Sequence, residues 1–459
     1  MGEQLLSVGI DIGTSTTQLI FSKLHIKNVA SASSVPRHEI VEKEIIYKSK
    51  IHFTPLKSKT EIDTEKAVEI IKEEYKNAGI KVTDPDTGAV IITGETARKE
   101  NARAVLDALS DFSGDFVVAT AGADLESVLS GKGAGTDKIS KEKHAVCLNF
   151  DIGGGTTNIS VFNRGTSVDT ACFDIGGRLI KYDENKIITY ITPKLKDIIE
   201  RENLNIHEGD NFSLEKVSSL LNIMTDVLCN VLNIKESPYF THFITNKALA
   251  NPIKPDYITF SGGVAKAIYE AEENPFAYGD IGVFLAERIK TSEIFEHYNI
   301  LKGNETIRAT VVGAGSHTTE VSGSTIYFDK SVLPVKSLPV LKIGNESDFL
   351  NEYNSKISRI DLDRPFAIAL DGKPGISFDE VQKLANSVST SLKNLTTPIF
   401  IIFKNDMAKA FGYVLQGLCP DKKLVVIDGI TLKEEDFIDI GKPASSNFLP
   451  VVVKTLLFQ

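Results

Sequence analysis

Two short segments of this chain say nearly the same thing. The first reads Gly9-Ile10-Asp11-Ile12-Gly13-Thr14-Ser15-Thr16-Thr17, and the second reads Asp151-Ile152-Gly153-Gly154-Gly155-Thr156-Thr157-Asn158. Apolar runs flank both: Leu5 to Ile10 and Leu19 to Phe21, then Ala145 to Phe150 and Ile159 to Phe162. The pattern predicts strand, tight turn, strand, in two related halves. Two phosphate-sized turns on related halves suggest one nucleotide held between them.

A turn that wraps a phosphate must aim several backbone N–H groups inward. Glycine permits the dihedrals this requires and brings no Cβ into the way. Gly13, Gly153, Gly154 and Gly155 supply that freedom, and Thr14, Ser15, Thr16, Thr156 and Thr157 add hydroxyl donors. Asp11 and Asp151 would repel a polyphosphate, by roughly 4 kcal/mol per charge pair at 4 Å and an effective dielectric of ~20. A divalent cation between them reverses the sign, and Mg²⁺ commonly takes one or two carboxylates plus phosphate oxygens. Asp11 and Asp151 are therefore the expected metal-side and catalytic carboxylates, and ATP or ADP with Mg²⁺ the expected ligand. Either segment alone is equally a β-hairpin with a Gly/Thr turn; the matched pair favours phosphate. No Gly-x₄-Gly-Lys-Ser/Thr loop occurs, and each glycine turn leads into a strand where a dinucleotide fingerprint would open a helix.

The 459 residues suffice for two or three domains. A net charge of −10 and the lack of a dense Lys/Arg cluster argue against nucleic acid and anionic membrane as partners. Cys147, Cys172, Cys229 and Cys419 are scattered, which fits a reducing compartment, and no signal-like or spanning apolar run is found. A cytoplasmic protein is expected. Three domains are expected: residues 1–144 as one lobe, completed by about 311–345; residues 145–310 as a second, with a helical insertion at about 193–233; and residues 346–459 as a C-terminal α/β unit for partner binding, assembly or support.

Further candidate positions follow along the chain. Thr64 to Ala78 has the spacing of an amphipathic helix stopped by Gly79, and strands are expected over Ala89–Thr93 and Phe116–Thr120. The latter strand runs into a helix carrying Asp124 and Glu126, candidates to orient an attacking water, with Asp124 equally readable as a charge at the helix N-terminus. Strand Tyr257–Phe260 stops at Ser261-Gly262-Gly263-Val264, a bend on which an adenine or ribose could rest. Thr310-Val311-Val312-Gly313-Ala314-Gly315 is small enough for close helix packing or a hinge, and Gly313 and Gly315 are kept as candidate cofactor contacts. Ser377-x-x-Glu380 is a capping box.

In order, Gly9–Thr17, Gly122–Gly131, Asp151–Asn158, Ile258–Val264 and Val311–Gly315 resemble the five motifs of the actin-like ATPase superfamily of sugar kinases, heat-shock chaperones and reactivating factors. Within it the chain resembles the family of ethanolamine ammonia-lyase reactivating factors. The resemblance is carried by Ile92-Thr93-Gly94-Glu95-Thr96-Ala97, Gly131-Lys132-Gly133-Ala134-Gly135, Tyr278-Gly279-Asp280-Ile281-Gly282 and Leu449-Pro450-Val451-Val452-Val453-Lys454-Thr455. It implies a two-lobed, ribonuclease H-like α/β fold with the nucleotide in the cleft. It also implies an ATP- and Mg²⁺-dependent repair activity, with ethanolamine ammonia-lyase as partner. The task would be to release damaged cobalamin so that intact coenzyme can enter, in association with a bacterial microcompartment. Homo-oligomerisation is left open. Two other readings share the clamp: a small-molecule kinase of the same fold, and a bacterial actin-like scaffold ATPase.

Overall fold

The computed structural model describes residues 3–455 apart from 15, 31–37, 59–60, 94–99, 110–111, 113–117, 121–122, 318, 324, 394, 435 and 444–447. Each repeated phrase sits at the tip of an antiparallel hairpin in a sheet of its own. In the first sheet the order is His38–Lys48, Thr16–Asn28, Glu3–Ile12, Thr87–Ile92, Val118–Thr120, and the short strand His52–Phe53 also pairs with Thr16–Asn28. In the second it is Thr166–Phe173, Thr157–Asn163, Val146–Ile152, Tyr257–Ser261, Asn299–Ile300. Both place the first strand centrally, with an antiparallel meander on one side and parallel strands on the other. This order is ribonuclease H-like in each lobe, and the pair makes a two-lobed actin-like fold. The central strands are buried almost throughout, as strands covered on both faces must be.

Two helices lie between the sheets. Ala123–Gly133 follows the first lobe in sequence yet packs on the strands of the second, and Ala309–His317 follows the second lobe yet packs on Glu3–Ile12 of the first. Their mutual approach depends on glycine. A Cβ on Gly133 would stand 1.8 Å from the Ala309 carbonyl oxygen, and one on Gly313 would stand 2.0 Å from that of Leu129.

The helical insertion contributes a long apolar stripe to the second lobe's core. Leu214–Val231, capped by Ser213, buries Val217, Leu220, Leu221, Met224, Val227, Leu228 and Val231 along one stripe. Each such side chain contributes roughly 1.5–3 kcal/mol on burial.

The third sheet runs Thr319–Val321, Pro450–Thr455, Asp436–Ile440, Val335–Lys342, Ala367–Leu370, Ile399–Phe403, Leu424–Ile427, Tyr327–Phe328. Residues 311–345, expected to complete the first lobe, therefore divide. Helix Ala309–His317 lies against the first sheet, whereas Thr319–Val321 and Val335–Lys342 pair in the third. The Ser377–Glu380 capping box opens helix Phe378–Ser391 as its sequence requires. Among the described residues no helix is long and apolar enough to cross a membrane.

Candidate functional site

The two turns share their hydrogen bonding. Gly13 N–H donates to the Thr16 carbonyl at 2.9 Å, and Gly153 N–H donates to that of Thr156 at 2.9 Å. Ile12 faces Thr17 and Ile152 faces Thr157 as the last pair of each hairpin. The repetition extends to the next strand over. Asp11 lies beside Ile91 in parallel register, and Thr93, just past that strand, donates its hydroxyl to Asp11 Oδ1 at 2.9 Å. Asp151 lies beside Ser261, whose hydroxyl donates to Asp151 Oδ1 at 2.5 Å. Each lobe thus holds one carboxylate with one hydroxyl from the neighbouring parallel strand.

Between the turns is a cavity of about 330 Å³, within the range of small-ligand sites. Gly13, Thr14 and Thr16 line one wall and Gly153, Gly154, Gly155 and Thr156 the opposite one, with Asp11 and Asp151 between them. Gly262, Gly263 and Val264 contribute a further side, and Glu126 also faces the space. Only glycine serves at 262: its φ is +86°, and a Cβ would stand 2.3 Å from the Ile152 carbonyl oxygen.

The carboxylates are 7% and 5% exposed. Burial pushes Asp11 up to about 7, against the pull of the Thr93 hydroxyl and with a further push from Asp151. Burial likewise pushes Asp151 up to about 6, against the Ser261 hydroxyl. Neither has an ion-pair partner among the described residues. Two buried acidic groups lacking a cation suit a hard divalent ion. Among the described residues no group of three or more His, Cys, Asp or Glu could hold a metal by itself. Such an ion would complete its shell with water and phosphate oxygens.

Several expected site residues lie elsewhere. Asp124 is ion-paired with Lys247 at 3.1 Å, accepts the Thr170 hydroxyl and does not line the cavity, whereas Glu126 does. Gly313 meets Leu129 and Gly315 meets Gly9, backbone to backbone; both are packing glycines, and neither lines the cavity. Thr157 donates its hydroxyl to the Ile175 carbonyl at 2.7 Å, and Ser261 acts on Asp151 from outside the lining. Ser15, Gly94 to Thr96 and Gly122 fall outside the described residues.

Other lining residues were not anticipated: Thr93, Arg178, Lys266, Glu272, Tyr278 and Asp280. Thr93 could have been suspected as the residue closing a strand parallel to Asp11. Arg178 follows Gly176-Gly177, and that bend grips the second turn from behind through Gly177 N–H to Gly153 O (2.9 Å) and Arg178 N–H to Gly154 O (2.7 Å).

A family model described as ethanolamine utilisation protein EutA matches residues 3–459. Two relatives, from Salmonella typhimurium (strain LT2) and Escherichia coli (strain K12), are each named ethanolamine ammonia-lyase reactivase EutA. Each is 35% identical over 461 residues, covering 99% of this chain and 99% of the relative. Among solved structures, a Ppx/GppA family member from Aquifex aeolicus aligns with a TM-score of 0.42 and 14% identity, covering 68% of this chain and 97% of that one.

Proposed function

This chain belongs to the EutA family of ethanolamine utilisation proteins, and from that premise we propose that it is an ATP- and Mg²⁺-dependent reactivase of ethanolamine ammonia-lyase. Its task is to free damaged cobalamin from the lyase so that intact adenosylcobalamin can enter. It works in the cytoplasm, in association with an ethanolamine-processing microcompartment. The observation that carries the nucleotide part is the mirrored pair of buried carboxylates, each behind a glycine-hydroxyl turn on opposite walls of one cavity.

Asp11 and Asp151 hold the cation, directly or through water, while the turn N–H groups and the hydroxyls of Thr14, Thr16 and Thr156 receive phosphate oxygens. When bound, the cation neutralises the repulsion between these carboxylates and the polyphosphate. Glu126, which lines the cavity, orients the attacking water in this reading, and Gly262 to Val264 offer backbone to the nucleoside end. The walls come from different lobes, so the number of phosphates sets how firmly they are held together. Closing such a clamp from mostly open to mostly closed takes roughly 5 kcal/mol of differential binding. The C-terminal unit, from about residue 319, is the proposed contact for the lyase or for assembly.

The test mixes the protein with cyanocobalamin-blocked ethanolamine ammonia-lyase, ATP, Mg²⁺ and fresh coenzyme. Lyase activity should return with wild-type protein and not with Asp151→Ala, which keeps its fold by circular dichroism and loses ATP turnover. Unrestored activity with wild type would remove the repair role. Release of ADP and inorganic phosphate without an acceptor separates this reading from a small-molecule kinase.

A further inference from the structure

We propose that Arg178 reads the terminal phosphate of the bound nucleotide, steadied by Phe53 across the mouth of the cleft; the inference rests on the nucleotide reading above. Arg178 is anchored to the second phosphate turn by its own backbone, whose N–H donates to Gly154 O at 2.7 Å. Phe53 is anchored to the first. It pairs with Thr16, the residue whose carbonyl closes that turn, and the residue is 76% exposed at the cavity edge. The Arg178 guanidinium lies 5.8 Å from the Phe53 ring centroid, within cation–π reach. One side-chain contact therefore joins the two phosphate turns across the cleft.

The guanidinium is only partly engaged. Its Nε donates to Asp280 Oδ2 at 3.3 Å, and its terminal nitrogens have no hydrogen-bond partner among the described residues, although the side chain lines the cavity. A planar fork with unengaged donors matches a phosphate better than any other side chain. Asp280 does not depend on Arg178 alone, because Gly282 N–H donates to its other oxygen at 2.9 Å. Arg178 can therefore exchange Asp280 for a phosphate without leaving Asp280 bare. A nucleotide lacking the terminal phosphate offers nothing to draw it across. The same contact thereby tells a triphosphate from a diphosphate and ties that distinction to lobe closure.

The experiment is calorimetric titration of wild type, Arg178→Gln and Phe53→Ala with Mg²⁺ and either ADP or the β,γ-imido analogue of ATP. The ratio of triphosphate to diphosphate affinity should fall about tenfold in Arg178→Gln, as expected for one lost charge-assisted hydrogen bond. It should fall about two- to fivefold in Phe53→Ala, whose exposed ring is not needed for folding. Equal weakening of both ligands, or none, in Arg178→Gln would make Arg178 a structural ion pair and overturn the proposal. Should Arg178→Gln not fold, an unchanged ratio in Phe53→Ala overturns it instead. Wild type that binds neither ligand defeats the nucleotide reading itself, and this inference with it.

Discussion

Asp11 and Asp151 face opposite demands with and without a cation. In the nucleotide-free protein, burial holds their titration near 7 and 6, against an ordinary value of 3.8. The folded state therefore keeps protons that the unfolded chain has already released. Stability falls as pH rises from about 4, towards 6 for Asp151 and towards 7 for Asp11. Asp11→Asn should remove its share, so that without nucleotide the variant unfolds at higher urea than wild type at pH 8 and at nearly the same urea at pH 4. It should also lose Mg²⁺-dependent nucleotide binding. An identical pH profile for the two proteins would show that Asp11 does not carry this cost. The same logic makes Mg²⁺-nucleotide affinity rise between pH 6 and 8, because the ion must displace those protons.

Among elements, the two inter-sheet helices approach closely because glycines stand at their crossing. Gly133 meets Ala309 and Gly313 meets Leu129 across one crossing, so a Cβ at either position must push the helices apart. Gly133→Ala and Gly313→Ala should each cost about 1–3 kcal/mol by overpacking. The double variant should cost less than their sum, since one displacement relieves both clashes. A denaturation double-mutant cycle with two neutral single variants would disprove the close crossing. These helices also carry Leu129 and Ala314 into contact with Ala89 and Ile91 of the first sheet. A shift in their crossing is therefore felt by strand Thr87–Ile92, which pairs with the strand that carries Asp11.

At the scale of the whole molecule, the C-terminal unit has its own core but is tied to the first lobe. Phe448 is fully buried against Leu5, Leu24 and Ile26, and its ring stands 5.2 Å from that of His38. Thr319 adds a hydroxyl contact to Thr87 at 2.8 Å. Phe448→Ala should remove about 3 kcal/mol and loosen the unit, seen as a larger radius of gyration in solution scattering and faster limited proteolysis. Unchanged scattering would place the tether elsewhere. The repeated turns, the insertion's helix stripe and the capping box at Ser377 were all legible in the chain, because near neighbours decide hairpins, amphipathic helices and caps. The Thr93–Asp11 and Ser261–Asp151 pairs could not be read there, since parallel register joins residues 82 and 110 positions apart. Gly313 and Gly315 misled for a related reason: a small residue permits close approach, but what approaches is fixed by the packing of distant segments. Local residue order is enough to build two alike turns, each presenting a carboxylate. Long-range packing sets them facing one another across a single cavity, with Glu126 rather than Asp124 looking into it. It also puts Arg178 at the mouth, because those placements follow from how two lobes pack, which no local pattern encodes.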